Sequence, residues 1–240
     1  MTANALCREG VTFRYAPEGA PVLDDLSLAV RRGEFVAVIG PSGSGKSTLL
    51  NLVAGLLEPD DGRVALDGDS DAARLGRVGY MQQRDLLVPW RSVEANAALG
   101  LELRGTPRDE VARRVRECAE VFGLVEVLGK RPGELSGGMR QRAALMRTVL
   151  TEPDLLLLDE PFGALDAITR GHLQRWLLEM VRRYELTAVL VSHDIDEVLL
   201  LADRVAVMSR GGRLAEELAV DRAGDAAAAK RRLVELLGAA

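Results

Sequence analysis

Short runs of apolar residues, separated by turn-forming residues, recur along the chain. Three of them are almost uninterrupted, which is typical of strands buried on both faces of a sheet: Phe35–Ile39, Leu155–Leu158 and Thr187–Val191. Further strands are predicted at Gly10–Tyr15, Leu23–Val30, Arg63–Leu66, Val78–Met81 and Arg204–Met208, the last being the final strand. Turn signals such as Pro59-Asp-Asp-Gly62 and Asp67-Gly68 separate the early strands.

Helical periodicity appears between and after these strands. From Arg108 to Phe122, apolar side chains share one stripe opposite arginines and glutamates, which predicts a helix with a solvated charged face. The stripe consists of Val111, Val115, Cys118 and Val121/Phe122. Other helices are predicted at Ser47–Ala54, Met139–Leu150 and Ala167–Arg183. Helix, strand, helix and strand alternate after Asp159, which is typical of a parallel α/β core.

The last segment, Asp221–Ala240, is rich in alanine and predicts a terminal helix. Its side chains Leu233, Leu236 and Leu237 fall on one side, which favours docking on the core. The short basic run Lys230–Arg232 leaves a helix at a membrane surface as the alternative.

A glycine-rich segment follows the apolar run Phe35–Ile39. It reads Gly40-Pro-Ser-Gly-Ser-Gly-Lys46-Ser47 and matches the phosphate-binding P-loop, with a strand before it and a helix after it. Glycines let backbone N–H groups surround a phosphate, and the helix start adds positive charge. Lys46 can reach the β- and γ-phosphates, and the Ser47 hydroxyl can bind Mg²⁺. The predicted nucleotide site is Gly40, Pro41, Ser42, Gly43, Ser44, Gly45, Lys46, Ser47 and Thr48; a Gly/Ser turn before an ordinary helix is the alternative.

A second helix start with glycines reads Leu135-Ser-Gly-Gly-Met-Arg-Gln-Arg142. Here the chain resembles the ATP-binding cassette (ABC) ATPases, whose signature is LSGGQ, although Met139 stands where glutamine is commonest. Ser136 occupies a natural N-cap position before the helix. The resemblance implies that Ser136, Gly137 and Gly138 of one protomer close over the ATP held by a second copy. A plain capped helix is the alternative.

Two adjacent carboxylates, Asp159 and Glu160, end the apolar run Leu155–Leu158. Neighbouring side chains on a strand point to opposite faces, so the two can do different work. In the family the aspartate supports Mg²⁺ and the glutamate polarises the attacking water, which assigns Asp159 to the metal and Glu160 to catalysis. A strand that stops at a charged loop is the alternative. The next segment, Pro161 to Asp166, resembles the D-loop that touches the partner protomer, and Asp166 joins the predicted nucleotide site.

The two histidines of the chain receive different interpretations. His193 follows the run Thr187–Val191 and resembles the family's switch histidine, which contacts the γ-phosphate. His172 lies in the predicted helix Ala167–Arg183 without a surrounding motif, and we expect a surface or packing residue.

Two further site residues depend on the resemblance. The strand Val78–Met81 continues into Gln82 and Gln83 and resembles the entry to the Q-loop, so two glutamines compete for the contact with Mg²⁺ and the attacking water. Alignment on Leu86-Leu-Val-Pro89-Trp90, which resembles an LLPW stretch of one subgroup, favours Gln83. Tyr15 resembles the aromatic residue that stacks on adenine, with a half-buried packing residue as the alternative.

Composition limits the other classes of function. The 240 residues carry a net charge of −5 and 4% aromatic residues, which disfavours nucleic-acid binding. No run reaches the roughly 18 apolar residues of a membrane span, and we expect no signal peptide at the start. Cys7 and Cys118 lie far apart without metal-ligand spacing, which favours free thiols in a reducing cytoplasm.

Together these features predict an α/β protein of the P-loop NTPase type. The resemblance implies one ABC ATPase domain over residues 1–240, with an antiparallel β subdomain, a parallel-sheet core, an inserted helical subdomain at about 84–150 and a helical tail at about 215–240. The motifs look most similar to the nitrate, sulfonate and taurine importer group, which includes importers of thiamine-precursor pyrimidines.

Such a protein hydrolyses ATP with Mg²⁺ as a head-to-tail dimer on the cytoplasmic face of the membrane. Its expected partners are integral-membrane permease subunits and, indirectly, an extracytoplasmic solute-binding protein. A soluble ABC ATPase without a permease and a P-loop kinase are the alternatives.

Overall fold

Two β-sheets organise the fold in the computed structural model, which describes residues 4–67, 74, 76–221 and 226–239. A three-stranded antiparallel sheet has the order β2-β1-β4 and consists of β1 (Asn4–Phe13), β2 (Leu23–Arg31) and β4 (Asp61–Leu66). A six-stranded sheet has the order β5-β6-β7-β3-β8-β9 and consists of β3 (Phe35–Ile39), β5 (Val78–Met81), β6 (Leu155–Asp159), β7 (Thr187–Val191), β8 (Arg204–Met208) and β9 (Leu214–Ala219). Its strands are parallel except β9, which pairs antiparallel with β8.

Helices connect and cover these strands. They are α1 (Lys46–Val53), α2 (Val93–Leu103), α3 (Arg108–Phe122), α4 (Gly137–Val149), α5 (Ala167–Arg183), α6 (Ile195–Leu201) and α7 (Ala226–Ala239), with single 3₁₀ turns at Val125–Val127 and Pro132–Glu134. The helices α2, α3 and α4 lie between β5 and β6 in the chain and pack on one another. No helix within the described ranges is long and apolar enough to cross a membrane.

The central strands are buried on both faces because alternate side chains enter different clusters. In β6, Leu156 and Leu158 face the cluster formed with helices α2 to α5. Leu155 and Leu157 face the cluster formed with α1 and the antiparallel sheet. Every residue of β3, β6 and β7 is buried, which explains why these runs are almost continuously apolar.

The sequence predicted most of these elements with small errors at their ends. The strands β3, β5, β7 and β8 and the helices α3 and α5 have the predicted bounds, and the predicted fold class is confirmed. The first strand begins at Asn4 and ends at Phe13, so Tyr15 follows the strand instead of lying in it. The stripe on α3 also contains the buried Ala119. Gly68 of the predicted turn lies outside the described residues.

Of two predictions about the end of the chain, the one about the last strand is wrong and the one about the terminal helix is confirmed. The strand Arg204–Met208 is not the last, because β9 follows it and occupies the start of the predicted helical tail. The sequence of β9 is rich in Ala and Glu, which are depleted in strands, and this explains why it was missed. The predicted docking of the terminal helix is confirmed, since α7 packs on α6 and Leu233 is fully buried in a cluster that includes Ile39 and Val205.

Candidate nucleotide site

Four parallel strands end at the same edge of the large sheet. They are neighbours in the order β5-β6-β7-β3, so the residues that follow them come together although they are distant in sequence. The glycine-rich loop follows β3, and His193 follows β7. Asp159 ends β6 with Glu160 directly after it, and Gln83 follows β5. This edge, at the carboxyl ends of parallel strands, is where α/β proteins bind ligands.

The loop between β3 and α1 leaves the helix start without a side-chain cap. Gly45 precedes the helix with φ of 90°, and no side chain accepts a hydrogen bond from the first turn. A Cβ on Gly45 would lie 2.6 Å from a Leu23 methyl group, so this position requires glycine for both space and backbone conformation. The first N–H groups of α1 therefore remain available to an anion, which fits a phosphate.

The Lys46 ammonium lies inside this loop. Its Nζ donates hydrogen bonds to the carbonyl oxygens of Gly40 and Pro41, each at 2.9 Å. Burial lowers the pKa of Lys46, while the carboxylates of Glu160 and Asp159 act in the opposite direction. The loop thus places a cationic side chain against its own backbone, at the place where a triphosphate needs positive charge.

Asp159 and Ser47 form an oxygen-rich pair beside the loop. The Asp159 side chain is buried, with 3% of the residue exposed, and burial raises its pKa. The neighbouring Ser47 hydroxyl acts in the opposite direction and lowers the pKa of this carboxyl group. A carboxylate and a hydroxyl are hard oxygen donors and fit Mg²⁺. Among the described residues, no cluster of three or more His, Cys, Asp or Glu side chains that could hold a metal ion is present.

Glu160 lies between two other predicted site residues. The Gln83 amide Nε2 donates to one carboxylate oxygen of Glu160 at 3.2 Å, and His193 Nδ1 lies 3.3 Å from the other. The Glu160 side chain is 26% exposed, so its carboxylate reaches the solvent-facing side of the edge while Asp159 turns inward. Glu160 has φ of 50°, a conformation that non-glycine residues rarely adopt and that often marks functional sites.

The structure distinguishes the alternatives for the remaining residues near the loop. Gln83, rather than the half-buried Gln82, contacts Glu160. The Tyr15 hydroxyl lies 3.1 Å from the Thr48 hydroxyl, and its ring meets Phe13 edge-on at a centroid distance of 5.0 Å. This contact places Tyr15 beside the start of α1. Because 66% of Tyr15 is exposed, it is not a half-buried strand residue. His172 is exposed on α5, as expected for a surface residue.

The signature residues do not join this group within the chain. Ser136 caps α4 by accepting a hydrogen bond from the Met139 N–H at 3.3 Å, and Ser136 and Gly137 are exposed. Within the described ranges, no hydrogen bond or ion pair connects Ser136, Gly137 or Gly138 with residues 40–48. Asp166 likewise caps its own helix, α5, through the Thr169 N–H at 3.0 Å, and this hydrogen bond lowers its pKa.

One buried residue of the site was not identified from the sequence. The Gln141 amide donates to the carbonyl oxygen of Glu160 at 2.9 Å and accepts from the Ala164 N–H at 2.7 Å. It shares the buried face of α4 with Ala144, Leu145 and Thr148 at helical spacing. A polar residue on an apolar stripe must find hydrogen-bond partners, and this pattern was the available signal.

Comparison with known proteins identifies the class to which this fold and site belong. The ABC transporter family model matches residues 23–163. The chain therefore belongs to the ABC transporter family, and it is an ATP-binding cassette with ATPase activity.

Individual relatives agree with this assignment. The chain is 48% identical over 202 residues to the aliphatic sulfonates import ATP-binding protein SsuB 2 of Burkholderia cenocepacia, covering 83% of this chain and 73% of that protein. It is 43% identical over 222 residues to the taurine import ATP-binding protein TauB of Pseudomonas aeruginosa, covering 92% and 83%. A solved dimeric ATP-binding cassette in a post-hydrolysis state with ADP and Pi has a TM-score of 0.82 at 29% identity, covering 90% of this chain and 99% of that chain.

Proposed function

We propose that two copies of the chain hold two ATP molecules head to tail. Each site combines the P-loop edge of one copy with the signature residues of the other. The observation that carries this proposal is the exposed start of α4, which has the chemistry of an anion site but lies apart from its own P-loop. The similar cassette described as dimeric supports it.

One copy supplies most of each composite site. Its proposed residues are Tyr15 against adenine, residues 40–48 around the phosphates, and Gln83, Asp159, Glu160 and His193 at the reacting end. The second copy supplies Ser136, Gly137 and Gly138, and its D-loop residue Asp166 lies at the same interface. Closing this interface moves the permease, and hydrolysis allows it to reopen.

The proposed chemistry separates two carboxylates. Glu160 polarises the attacking water, since its carboxylate is partly exposed and its position is fixed by Gln83 and His193. His193 contacts the γ-phosphate, and Lys46 supplies positive charge to the β- and γ-phosphates. Ser47, Asp159 and Gln83 would hold Mg²⁺, which when bound neutralises charge on the phosphates.

The metal assignment has its own test. Chelation of Mg²⁺ with EDTA should stop ATP hydrolysis, and Asp159→Asn should raise the Mg²⁺ concentration needed for half-maximal activity. Glu160→Gln should leave that concentration nearly unchanged in single-turnover assays. An unchanged Mg²⁺ requirement in Asp159→Asn would remove Asp159 from the metal site.

We also propose that this cassette energises import of a small solute. The relatives named for sulfonate and taurine import support this, and the sequence group adds nitrate and thiamine-precursor pyrimidines. The chain would then act on the cytoplasmic face of the membrane, with two permease subunits and an extracytoplasmic solute-binding protein. Uptake of each solute by cells with and without the intact gene cluster distinguishes these substrates.

The segment from Gln83 to Val93 is the proposed contact with the permease. Leu87 is buried at 7% exposure and packs in the core. Trp90 is 75% exposed, so packing of the subdomain does not account for it. Trp90 is exposed in the same segment as Gln83, which contacts Glu160. A contact of Trp90 with the permease could therefore transmit movement between the nucleotide site and the permease.

Co-purification with the permease tests this contact. Trp90→Ala should reduce the amount of permease recovered, with little change in melting temperature because the side chain is mostly exposed. Tyr184→Ala is the matched control, since Tyr184 is an exposed aromatic residue at the C-terminal end of α5, outside the segment from Gln83 to Val93. A large loss of stability with unchanged permease recovery would assign Trp90 to the core. A soluble cassette without a permease would show no recovery even in the wild type.

A further inference from the structure

The buried side-chain amide of Gln141 connects helix α4, which begins at the signature, to the turn that follows β6. Gln141 is only 9% exposed, and its Nε2 and Oε1 atoms bond to the backbone of Glu160 and Ala164, at 2.9 Å and 2.7 Å. These partners lie on either side of the turn after β6. The side chain therefore braces this turn from α4.

The braced backbone is the part that aims the Glu160 carboxylate. Glu160 has φ of 50°, so other contacts must hold its backbone in this conformation. Its N–H donates to the Val191 carbonyl at 2.9 Å, and its own carbonyl accepts from Gln141 at 2.9 Å and from the Gly163 N–H at 3.3 Å. Gln141 thus provides the shorter of the two bonds to that carbonyl oxygen.

The same helix also holds the segment that follows Gln83. Arg140 Nε lies 3.1 Å from an Asp85 carboxylate oxygen. Arg147 donates to the carbonyl oxygens of Leu86 at 2.8 Å and Asp85 at 2.9 Å. The segment that follows Gln83, whose amide contacts the Glu160 carboxylate, therefore depends on the position of α4.

The start of α4 serves a different site from the one that Gln141 braces. In the proposed dimer, Ser136 meets the ATP of the second copy, while Glu160 acts on the ATP of its own copy. Gln141 lies five positions after Ser136 on the same helix, about 7–8 Å along the axis. A rigid helix of this length transmits a small shift from one end to the other.

We infer that Gln141 is a positioning residue that sets the Glu160 carboxylate of its own copy according to the position of the signature helix. It thereby links the two ATP sites of the dimer through a single chain. This inference rests on the proposed composite sites and deepens them, because it names the side chain that connects them. Gln141 itself touches neither the nucleotide nor the reacting atoms.

Two substitutions separate positioning from simple packing. Gln141→Leu removes both hydrogen bonds at similar volume, and kcat for ATP hydrolysis should fall about 10- to 100-fold, since misplacing a catalytic group by about 1 Å has an effect of that order. KM for ATP should change little, because the P-loop contacts stay. Thr148→Val is the matched control on the same buried face, and its hydroxyl bonds only within α4, to Ala144. This control should keep the wild-type kcat.

Gln141→Glu adds a pH readout. The ionised carboxylate still accepts from Ala164 but cannot donate to the Glu160 carbonyl, whereas the protonated acid can do both. Burial raises the pKa of such a carboxyl group above its ordinary value. The kcat of this variant, divided by the wild-type kcat, should therefore rise as the pH falls through that pKa. The same ratio for Gln141→Leu should stay flat, and a flat ratio for both variants would contradict the inference.

A mixed dimer shows in which copy Gln141 acts. One copy carries Lys46→Ala, so only the P-loop of the other copy, facing the first copy's signature, hydrolyses ATP. Gln141→Leu should lower the rate when placed in the copy with the intact P-loop and have little effect when placed in the copy that supplies the signature. The reverse result would assign Gln141 to the signature and overturn the inference. Absence of ATP hydrolysis in the wild type would instead contradict the proposed function, and a wild-type kcat in Gln141→Leu would contradict this inference alone.

Discussion

The chain contains two helix starts that we propose to bind phosphate, and they differ in how their first N–H groups are capped. The first, at α1, follows Gly45 and has no side-chain cap. The second, at α4, is capped by its own Ser136 hydroxyl and is exposed. Both motifs look alike in sequence, as glycines and a hydroxyl before an amphipathic helix. They differ in their caps and in their surroundings.

The surroundings explain the difference. The start of α1 follows a fully buried strand in the centre of the sheet, with Lys46 inside the loop and Asp159 beside it. This site has its charges, its proposed metal donors and its proposed catalytic carboxylate within one chain. The start of α4 is exposed and capped only by Ser136, with no such neighbours among the described residues. We therefore propose that α1 binds nucleotide in a single chain, whereas α4 meets the nucleotide of a second copy.

The largest expected effect is on ATP hydrolysis, after substitution of Glu160 in the site that includes the start of α1. Glu160→Gln keeps the size of the side chain but removes the base, so hydrolysis should fall by about 100- to 10,000-fold. ATP should still bind at the P-loop and should then trap the dimer, since the sandwich can close but cannot reopen. Turnover and dimer fraction by size-exclusion chromatography measure this. Turnover near that of the wild type would remove Glu160 from catalysis.

Substituting each helix start separately should give different defects. Lys46→Ala should weaken ATP binding to the single chain by about 1.5–3 kcal/mol, which is typical of a lost hydrogen bond to a charged group. Ser136→Arg should leave that affinity intact but prevent ATP-driven dimerisation, because a bulky cation would occupy the exposed cap. Nucleotide titration and sedimentation measure the two properties. Equal loss of single-chain affinity in both variants would contradict the comparison.

A mixture of these two variants sharpens the comparison. In a dimer of Ser136→Arg with Lys46→Ala, both lesions fall in one composite site and the other site is wild type. ATP-dependent closure through that second site should recover, relative to either homodimer. Nucleotide cross-linking to each chain then distinguishes two explanations if recovery fails. Label on both chains would place the signature of the Lys46→Ala chain at that nucleotide and indicate strict coupling of the sites, and label on the Ser136→Arg chain alone would contradict the composite arrangement.

The smallest expected effect concerns the cap alone. Ser136→Ala removes the hydroxyl that accepts from Met139 and should destabilise the chain by about 1 kcal/mol, typical of a lost N-cap. This corresponds to a melting temperature lower by about 2–4 °C for a protein of this size. Ser136→Asn keeps a capping side chain and should restore most of the difference. An unchanged melting temperature in Ser136→Ala would mean that the cap does not stabilise α4.

Parts of the fold and the site that depend on neighbouring residues were predictable. The buried strand Phe35–Ile39, the glycines that follow it and the pair of Asp159 and Glu160 are local patterns, and the structure places them as expected. The strand β9 was not predictable, because its Ala and Glu residues lack strand preference. Its extended conformation depends on the hydrogen bonds to β8. The exposure of Trp90 was equally undetermined, since an apolar residue in sequence fits a core or a surface.

The sequence by itself determined most strands and helices, the loop that must contain glycine and the residues that are candidates for the chemistry. These features arise from backbone conformation and from the alternation of side chains within a few residues. Only the tertiary structure decided that Gln83 meets Glu160, 77 positions further along, because the order of parallel strands sets which loops share an edge. It also decided that Gln141 braces the Glu160 backbone from another helix. Such contacts depend on how distant elements pack, and no local pattern specifies that distance or direction.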